Sequence, residues 1–317
     1  MTLDARSPAD RSDGAPPRPG RADDGADPDD GADPDDGADP HEVAAGGGDT
    51  DDGLARTLQR TIDEGERRLT RSWPSLLATG AVGGLDVVTG VLALLLVKEA
   101  TGSDLLGALA FGIGFIALTL GQSELFTEHF LLPVVARVAH RGDRRTAVLR
   151  LWGGNLVTNL AAGWVAMALV VAAFPQLRAT AIEVARHYPD MGIGKEAFAA
   201  AVLAGMTMTL MTWMQQSTES MVARLVAAVA VAFLLAAGPM NHVIVGSLEM
   251  FGALFFGAPF GYADMAGAAA FAGLGNAVGG IGLVTVLRLI QVGRRAVEAH
   301  DDEKPGGRSP DAARSRT

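Results

Sequence analysis

Residues 111–133 read FGIGFIALTLGQSELFTEHFLLP, and this stretch decides the class of the whole chain. It opens as a glycine-spaced apolar helix and then runs into Gly121, Gln122, Ser123, Glu124, Thr127, Glu128 and His129. Polar side chains and non-helical backbone cannot face lipid, where each unmet polar group costs several kcal/mol. The stretch is therefore either no membrane segment at all or a break that lines a path enclosed by protein.

The surrounding composition selects the second reading. The chain has 317 residues, 49% hydrophobic and only 20% charged, with a mean hydropathy of +0.23. Soluble domains carry about a quarter charged residues. The net charge of -10 is concentrated: residues 1–53 hold sixteen Asp or Glu against four Arg, a net of -12, which leaves about +2 (-10 less -12) for the remainder. Cys is absent, which excludes disulfides and thiolate metal sites. No apolar signal-peptide core opens the chain, so the first spanning helix is expected to serve as the insertion signal.

GADPDD occupies positions 25–30 and again 31–36, followed by GADP at 37–40. Asp repulsion, Pro, Gly and few apolar side chains predict a disordered acidic tail over residues 1–53. Residues 54–73 place Leu54, Leu58, Ile62, Leu69 and Trp73 mostly on one face, among Arg56, Arg60, Arg67, Arg68 and Arg71. That pattern predicts an amphipathic helix lying on the surface of the lipid bilayer. Six apolar stretches follow, at roughly 75–97, 105–136, 148–174, 197–214, 222–257 and 266–290. A bilayer span takes about 20 residues. The second and fifth stretches exceed that and are interrupted, which points to discontinuous helices.

The predicted transmembrane domain covers 74–293, with a disordered cytoplasmic tail over 294–317. Arg137, Arg141, Arg144, Arg145 and Arg150 crowd the loop after the second stretch, and Arg288, Arg294, Arg295 and Lys304 flank the last. The loops at 98–104, 175–196 and 258–265 are poorer in basic residues. The positive-inside rule then expects both termini in the cytoplasm and an even span count, six. Gly154-Asn155 in the third stretch matches Gly275-Asn276 in the sixth. With the paired breaks, this predicts an inverted repeat whose site lies at the midplane.

Thr127, in the first break, offers its hydroxyl either to a small anion or to freed backbone. Glu124 and Glu128 would repel an anion, so they are expected to support the loop by meeting backbone donors or pairing with basic groups. The second break, AAGPMNHVIVG at 236–246, contains Gly238-Pro239, which must disturb a helix. His242 follows in an otherwise apolar setting, where an ionisable group is a functional candidate. Phe111 and Phe115, four apart, are packed core, lipid-facing, or a constriction that excludes water, with Leu235 as their counterpart in the fifth stretch. Most glycines of the first and sixth stretches read as points of close helix approach.

Together, F-x-x-G-F-x-x-x-x-x-G-Q-S-E-L-F-T, the G-G-N-L-V of the third stretch, the G-N-A-V-G-G of the sixth and the Asn-His after the second break resemble the formate/nitrite transporter family over about residues 70–293. The resemblance implies an all-α membrane protein of six transmembrane helices. Its fold is an aquaporin-like inverted repeat with broken second and fifth helices, assembled as a homopentamer with one pore per protomer. It implies a central histidine, matched by His242, and a loop threonine, matched by Thr127. The implied constrictions fall on Phe111, Phe115 and Leu235, joined by Leu125. Asn241 stands where an acidic residue often precedes the histidine. A pore Asn of the fourth span falls near Gly205, with Thr207 and Thr209 close by. A lysine of the outer vestibule falls near Pro189, with only Lys195 close.

The function expected is passive or proton-coupled passage of a small anionic solute, such as formate, nitrite or another monocarboxylate, across the cell's inner membrane. No catalysis, cofactor, metal or nucleic acid is expected. Three other readings stay open: a neutral-solute pore of aquaporin or ammonium type, a membrane metalloenzyme using Glu124, Glu128, His129 and His242, and a scaffold whose acidic tail recruits a partner.

Overall fold

Ser103 and Ser220 each open a helix in the same way, the hydroxyl accepting from the backbone N–H three residues on, at Leu106 (3.3 Å) and Ala223 (3.4 Å). Such caps satisfy one of the donors that a helix start leaves unpaired. The two serines are 117 residues apart, and the helices they open, Asp104–Gly121 and Met221–Ala237, are the first halves of the two broken spans. This interval recurs throughout the molecule.

The computed structural model describes residues 40–140 and 144–293, and all regular structure among them is helical. The chain divides into two units, residues 1–44 and 45–317, and the account below concerns the second. In order, the helices are α1 (Pro40–Leu69), α2 (Trp73–Thr101), α3 (Asp104–Gly121), α4 (Leu132–Ala139), α5 (Arg145–Ala173), α6 (Arg178–Met191), α7 (Lys195–Gln216), α8 (Met221–Ala237), α9 (Val243–Phe255), α10 (Tyr262–Ala277) and α11 (Val286–Val292). A 3₁₀ turn, Phe126–Phe130, precedes α4, and a π-helical stretch, Val278–Thr285, joins α10 to α11.

Five helical segments among the described residues are long and apolar enough to cross a bilayer: α2, α3, α5, α7 and the continuous Tyr262–Val292. The helices α8 and α9, 17 and 13 residues long, are apolar but shorter. The expected break in the second apolar stretch is present. Gln122 takes a left-handed conformation (φ 52°) that ends α3, and residues 123–125 leave the helix before the 3₁₀ turn. The fifth is also broken, with Gly238 and Pro239 ending α8 and His242 capping α9. The helix α2 lies along α3 and α5, α3 along α8, and α7 along α10 and the π stretch.

The sequence reading differs from the structure at the N-terminal side. Helix α1 begins at Pro40, inside the segment predicted to be disordered, with proline in the first turn where its missing N–H costs little. The remainder of that predicted tail, residues 1–39, and the predicted tail at 294–317 lie outside the described residues. Leu58 and Ile62 do not spread over a bilayer surface: they are buried with Leu131, Val135, Ala139 and Trp213. Leu69 is buried with Leu76, Ala136 and Leu151. Amphipathicity predicts that a face will be covered, not what covers it, and here α4 and neighbouring helices do so. Arg150 fixes the link into α2 by donating to the carbonyls of Leu69 and Arg71, both at 2.8 Å.

Two glycines set the distance between helices. A Cβ on Gly84 would lie 2.3 Å from the Asn159 carbonyl oxygen, and one on Gly205 would lie 2.0 Å from that of Asn276. Only a residue without a side chain permits either approach. Where the resemblance puts a pore asparagine, Gly205 thus stands with no room for a side chain.

Candidate pore site

A helix broken at bilayer depth leaves backbone N–H and C=O groups that must find partners. Asn159 of α5 answers the first break: its side-chain oxygen accepts from Phe126 N–H (2.9 Å), and its amide donates to the Glu124 carbonyl (2.9 Å) and the Gly80 carbonyl (2.6 Å). Asn276 of α10 answers the second: it accepts from Val243 N–H (2.9 Å) and donates to the carbonyls of Asn241 (2.9 Å) and Ala201 (2.8 Å). Both side chains are fully buried. Each clamp closes around one residue, Leu125 in the first break and His242 in the second.

Asn159 was not singled out from the sequence, and it corrects the register of the repeat. The Gly-Asn match paired Asn155 with Asn276, but the bonds pair Asn159 with Asn276, an offset of 117. Asn155 sits one turn away on the same helix face and instead meets His129 and Glu124. The offset of 117 also places Leu118, rather than Phe111 or Phe115, opposite Leu235. The equal spacings 125 to 159 and 242 to 276, both 34 residues, were the available signal.

The structure brings the two polar candidates into contact: Thr127 Oγ1 lies 2.9 Å from His242 Nε2, and both residues are buried. The imidazole has a second task. Val245 N–H donates to His242 Nδ1 at 3.2 Å, so the ring caps α9. With Nδ1 accepting, the proton is assigned to Nε2, which donates to the Thr127 hydroxyl. The Thr127 hydroxyl hydrogen is left to donate elsewhere. Asn241 is buried, with its carbonyl held in the Asn276 clamp.

Phe111, Phe115, Leu125 and Leu235 lie in one buried apolar cluster with Leu118. The two phenyl rings are 5.5 Å apart. This cluster separates two cavities. One, about 240 Å³, is lined by Leu118 and by Arg67, Arg68, Arg71 and Arg224 together with Glu64, Glu124 and Glu128. The other, about 270 Å³, is lined by Leu235, Lys98, Asp104, Glu183, Tyr188 and Glu249, among others. Helix α3 runs from Asp104 in the second cavity to Leu118 in the first, and α8 runs back from Arg224 to Leu235. The cavities thus lie at opposite ends of the two broken spans.

Glu124 and Glu128 line the arginine cavity but are turned onto the end of α1 and the link that follows it. Arg71 Nη1 is 2.6 Å and Arg68 Nε 3.2 Å from Glu124 Oε1, and Arg68 Nη1 is 3.1 Å from Glu128 Oε2. Arg68 also reaches Glu64 at 2.7 Å. The first break is therefore tied by ion pairs to the helix that precedes the spans. Glu128 Oε1 and His129 Nδ1 are buried with no partner among the described residues. The ammonium in the opposite cavity is Lys98 of α2, not a residue near Pro189 or Lys195.

Paired breaks, duplicated asparagine clamps and a polar contact between two cavities define a helical membrane channel. Residues 55–290 match the model of the formate/nitrite transporter family, and the chain belongs to that family. This is a family of transporters, not of enzymes. The chain is 27% identical over 209 residues to the inner membrane protein YfdC of Escherichia coli (strain K12), covering 61% of this chain and 64% of that protein, less than two thirds of its length. It is 25% identical over 249 residues to the uncharacterized transporter YrhG of Bacillus subtilis (strain 168), covering 73% and 90% of the two chains. Among solved structures, it resembles an FNT family ion channel (TM-score 0.63, 16% identity, 73% of this chain and 96% of that one). It also resembles a pentameric formate channel with formate bound (TM-score 0.57, 19% identity, 68% and 95%).

Proposed function

We propose that this transporter passes a small monovalent anion of the formate or nitrite kind, passively or with a proton, through a pore within each protomer. The observation that carries the reading is the buried Thr127–His242 contact, which joins the two breaks between the two cavities. The apolar cluster of Phe111, Phe115, Leu118, Leu125 and Leu235 makes a bare charge costly there, so passage needs support at the polar pair. On this reading, α8 and α9 together make one crossing, giving six spans. The arginine cavity faces the cytoplasm with both termini, and the chain sits in the inner membrane as a homopentamer. The formate channel's pentameric assembly and the YfdC description as an inner membrane protein support those last two points.

The test is flux of formate and nitrite into proteoliposomes, wild type against His242→Ala and His242→Asn. Asn retains a good helix cap while removing the imidazole. Both variants are expected to lose most flux, and unchanged flux in the Asn variant would end the proposed role.

A further inference from the structure

The arginine cavity holds more positive charge than the first break uses. Arg68 is engaged by Glu64, Glu124 and Glu128, and Arg67 pairs with Glu64. Arg71 places one nitrogen, Nη1, on Glu124 and leaves the rest of its fork open. Arg224 has no carboxylate partner among the described residues. Its Nε donates to the Thr218 carbonyl at 3.1 Å, and its two terminal nitrogens bond to no described residue. The side chains of Glu124 and Glu128 are 1% and 5% exposed, against 22% for Arg71 and 74% for Arg67. The carboxylates are thus covered, and guanidinium groups are what the cavity presents.

The rest of the lining favours an anion as well. The Gln122 carboxamide makes no hydrogen bond to a described residue, and Gln215 donates from its amide to the Thr119 hydroxyl at 3.3 Å. Met221 and Arg224, in the first turn of α8, both line the space, so the positive end of that 17-residue helix adds to the field. At the inner side stands Leu118, a member of the apolar cluster. The volume is about 240 Å³, whereas a water molecule takes about 30 Å³ in the liquid. Formate would leave most of that space empty. A phosphoryl group offers several charged oxygens and can engage two guanidinium forks at once.

We propose that this cavity binds a phosphoryl group, carried by free phosphate or by a lipid headgroup, through Arg71 and Arg224, and that the occupant, seated against Leu118, closes the path. The closing of the path rests on the transport reading above; the binding does not. Guanidinium groups keep their charge throughout the physiological pH range, so the site is present at neutral pH.

The test begins with calorimetric titration of inorganic phosphate into the full chain in lipid-free detergent, with ionic strength held constant by potassium chloride. Saturable binding of one phosphate per protomer is expected, with formate at least about tenfold weaker. A hydrogen bond to a charged group contributes about 1.5–3 kcal/mol, so Arg224→Gln is expected to weaken phosphate about ten- to a hundredfold. Arg224→Lys keeps the charge without the fork and is expected to fall between. Arg186→Gln, on α6 and outside this cavity, leaves the affinity as it is. If Arg224→Gln fails to fold, Gln122→Gly, which suits the left-handed backbone there, is expected to weaken phosphate about two- to tenfold. Formate flux is then measured in phosphatidylcholine proteoliposomes with phosphate on both sides. Wild-type flux is expected to fall in proportion to occupancy, and Arg224→Gln to escape the block. Adding phosphatidylglycerol without phosphate separates the two sources: lowered flux assigns the headgroup as occupant, and unchanged flux assigns free phosphate. Binding that disappears at matched ionic strength, that is equal for formate, or that is unaltered in folded Arg224→Gln and Gln122→Gly proteins overturns the site. Phosphate binding with undiminished formate flux overturns the block alone. Absence of formate and nitrite flux in phosphate-free wild type overturns the transport reading, while the titration still decides the site.

Discussion

Asn159 and Asn276, 117 residues apart, make the same set of bonds: each accepts one backbone N–H and donates to two carbonyls, and each encloses a single residue of a broken span. Neither belongs to the apolar cluster between the cavities. They hold the frame in which Leu125 and His242 stand.

Replacing either asparagine by alanine strands the two buried backbone groups of its break, each costing about 1–3 kcal/mol, and removes a third bond to a carbonyl inside a neighbouring helix. Asn159→Ala and Asn276→Ala are both expected to lower the thermal unfolding temperature of the detergent-solubilised protein by similar amounts. A neutral substitution at either site would show that the clamp does not carry the break.

Arg68 lies between Glu64, Glu124 and Glu128, and its removal takes from the buried Glu128 the ion pair that holds its Oε2. Breaking a buried pair costs about 3–5 kcal/mol. Arg68→Leu is expected to destabilise by that order, and adding Glu128→Leu to recover part of the loss. A double-mutant cycle on chemical unfolding measures the coupling, and strictly additive losses would refute it.

Glycines here divide into two kinds. Gly84→Ala and Gly205→Ala drive a methyl into backbone and are expected to cost at least about 1–3 kcal/mol. Gly153, in α5, has nothing within 4 Å of an added Cβ. Gly153→Ala is expected to be neutral or to stabilise by about 1 kcal/mol. Thermal unfolding of the three variants in one detergent checks the contrast.

Thr127→Val removes the acceptor of the His242 N–H while keeping shape, and a stranded donor costs about 1–3 kcal/mol, or roughly five- to hundredfold in rate. Formate flux is expected to fall within that range in Thr127→Val and to be retained in Thr127→Ser. Equal flux in all three proteins would remove the hydroxyl from the mechanism.

The broken helices were legible in the sequence because glycine, proline and charge inside long apolar runs are incompatible with an unbroken, lipid-facing helix. The pairing of Thr127 with His242 needed the fold, since 115 residues separate them. The repeat was visible, but its register was not. Asn155 and Asn159 lie one helical turn apart on α5, so a short motif cannot choose between them. The fate of Glu124 and Glu128 was half legible: charge in a membrane implied a counter-charge, and only the folded chain supplied Arg68 from α1 and Arg71 from the link after it. The cover on that helix was not legible, because an apolar stripe is equally suited to lipid and to protein.

The asparagine clamps have an evolutionary consequence. The positions whose loss is expected to do most damage are the clamps, while the side chains of the buried apolar cluster, such as Phe111, Leu125 and Leu235, make none of the clamp hydrogen bonds. On the transport reading proposed above, selectivity drifts by exchange of those apolar side chains without dismantling the scaffold. Conversely, a harmful substitution at Asn159 or Asn276 would dismantle a break while leaving every side chain of that cluster unaltered.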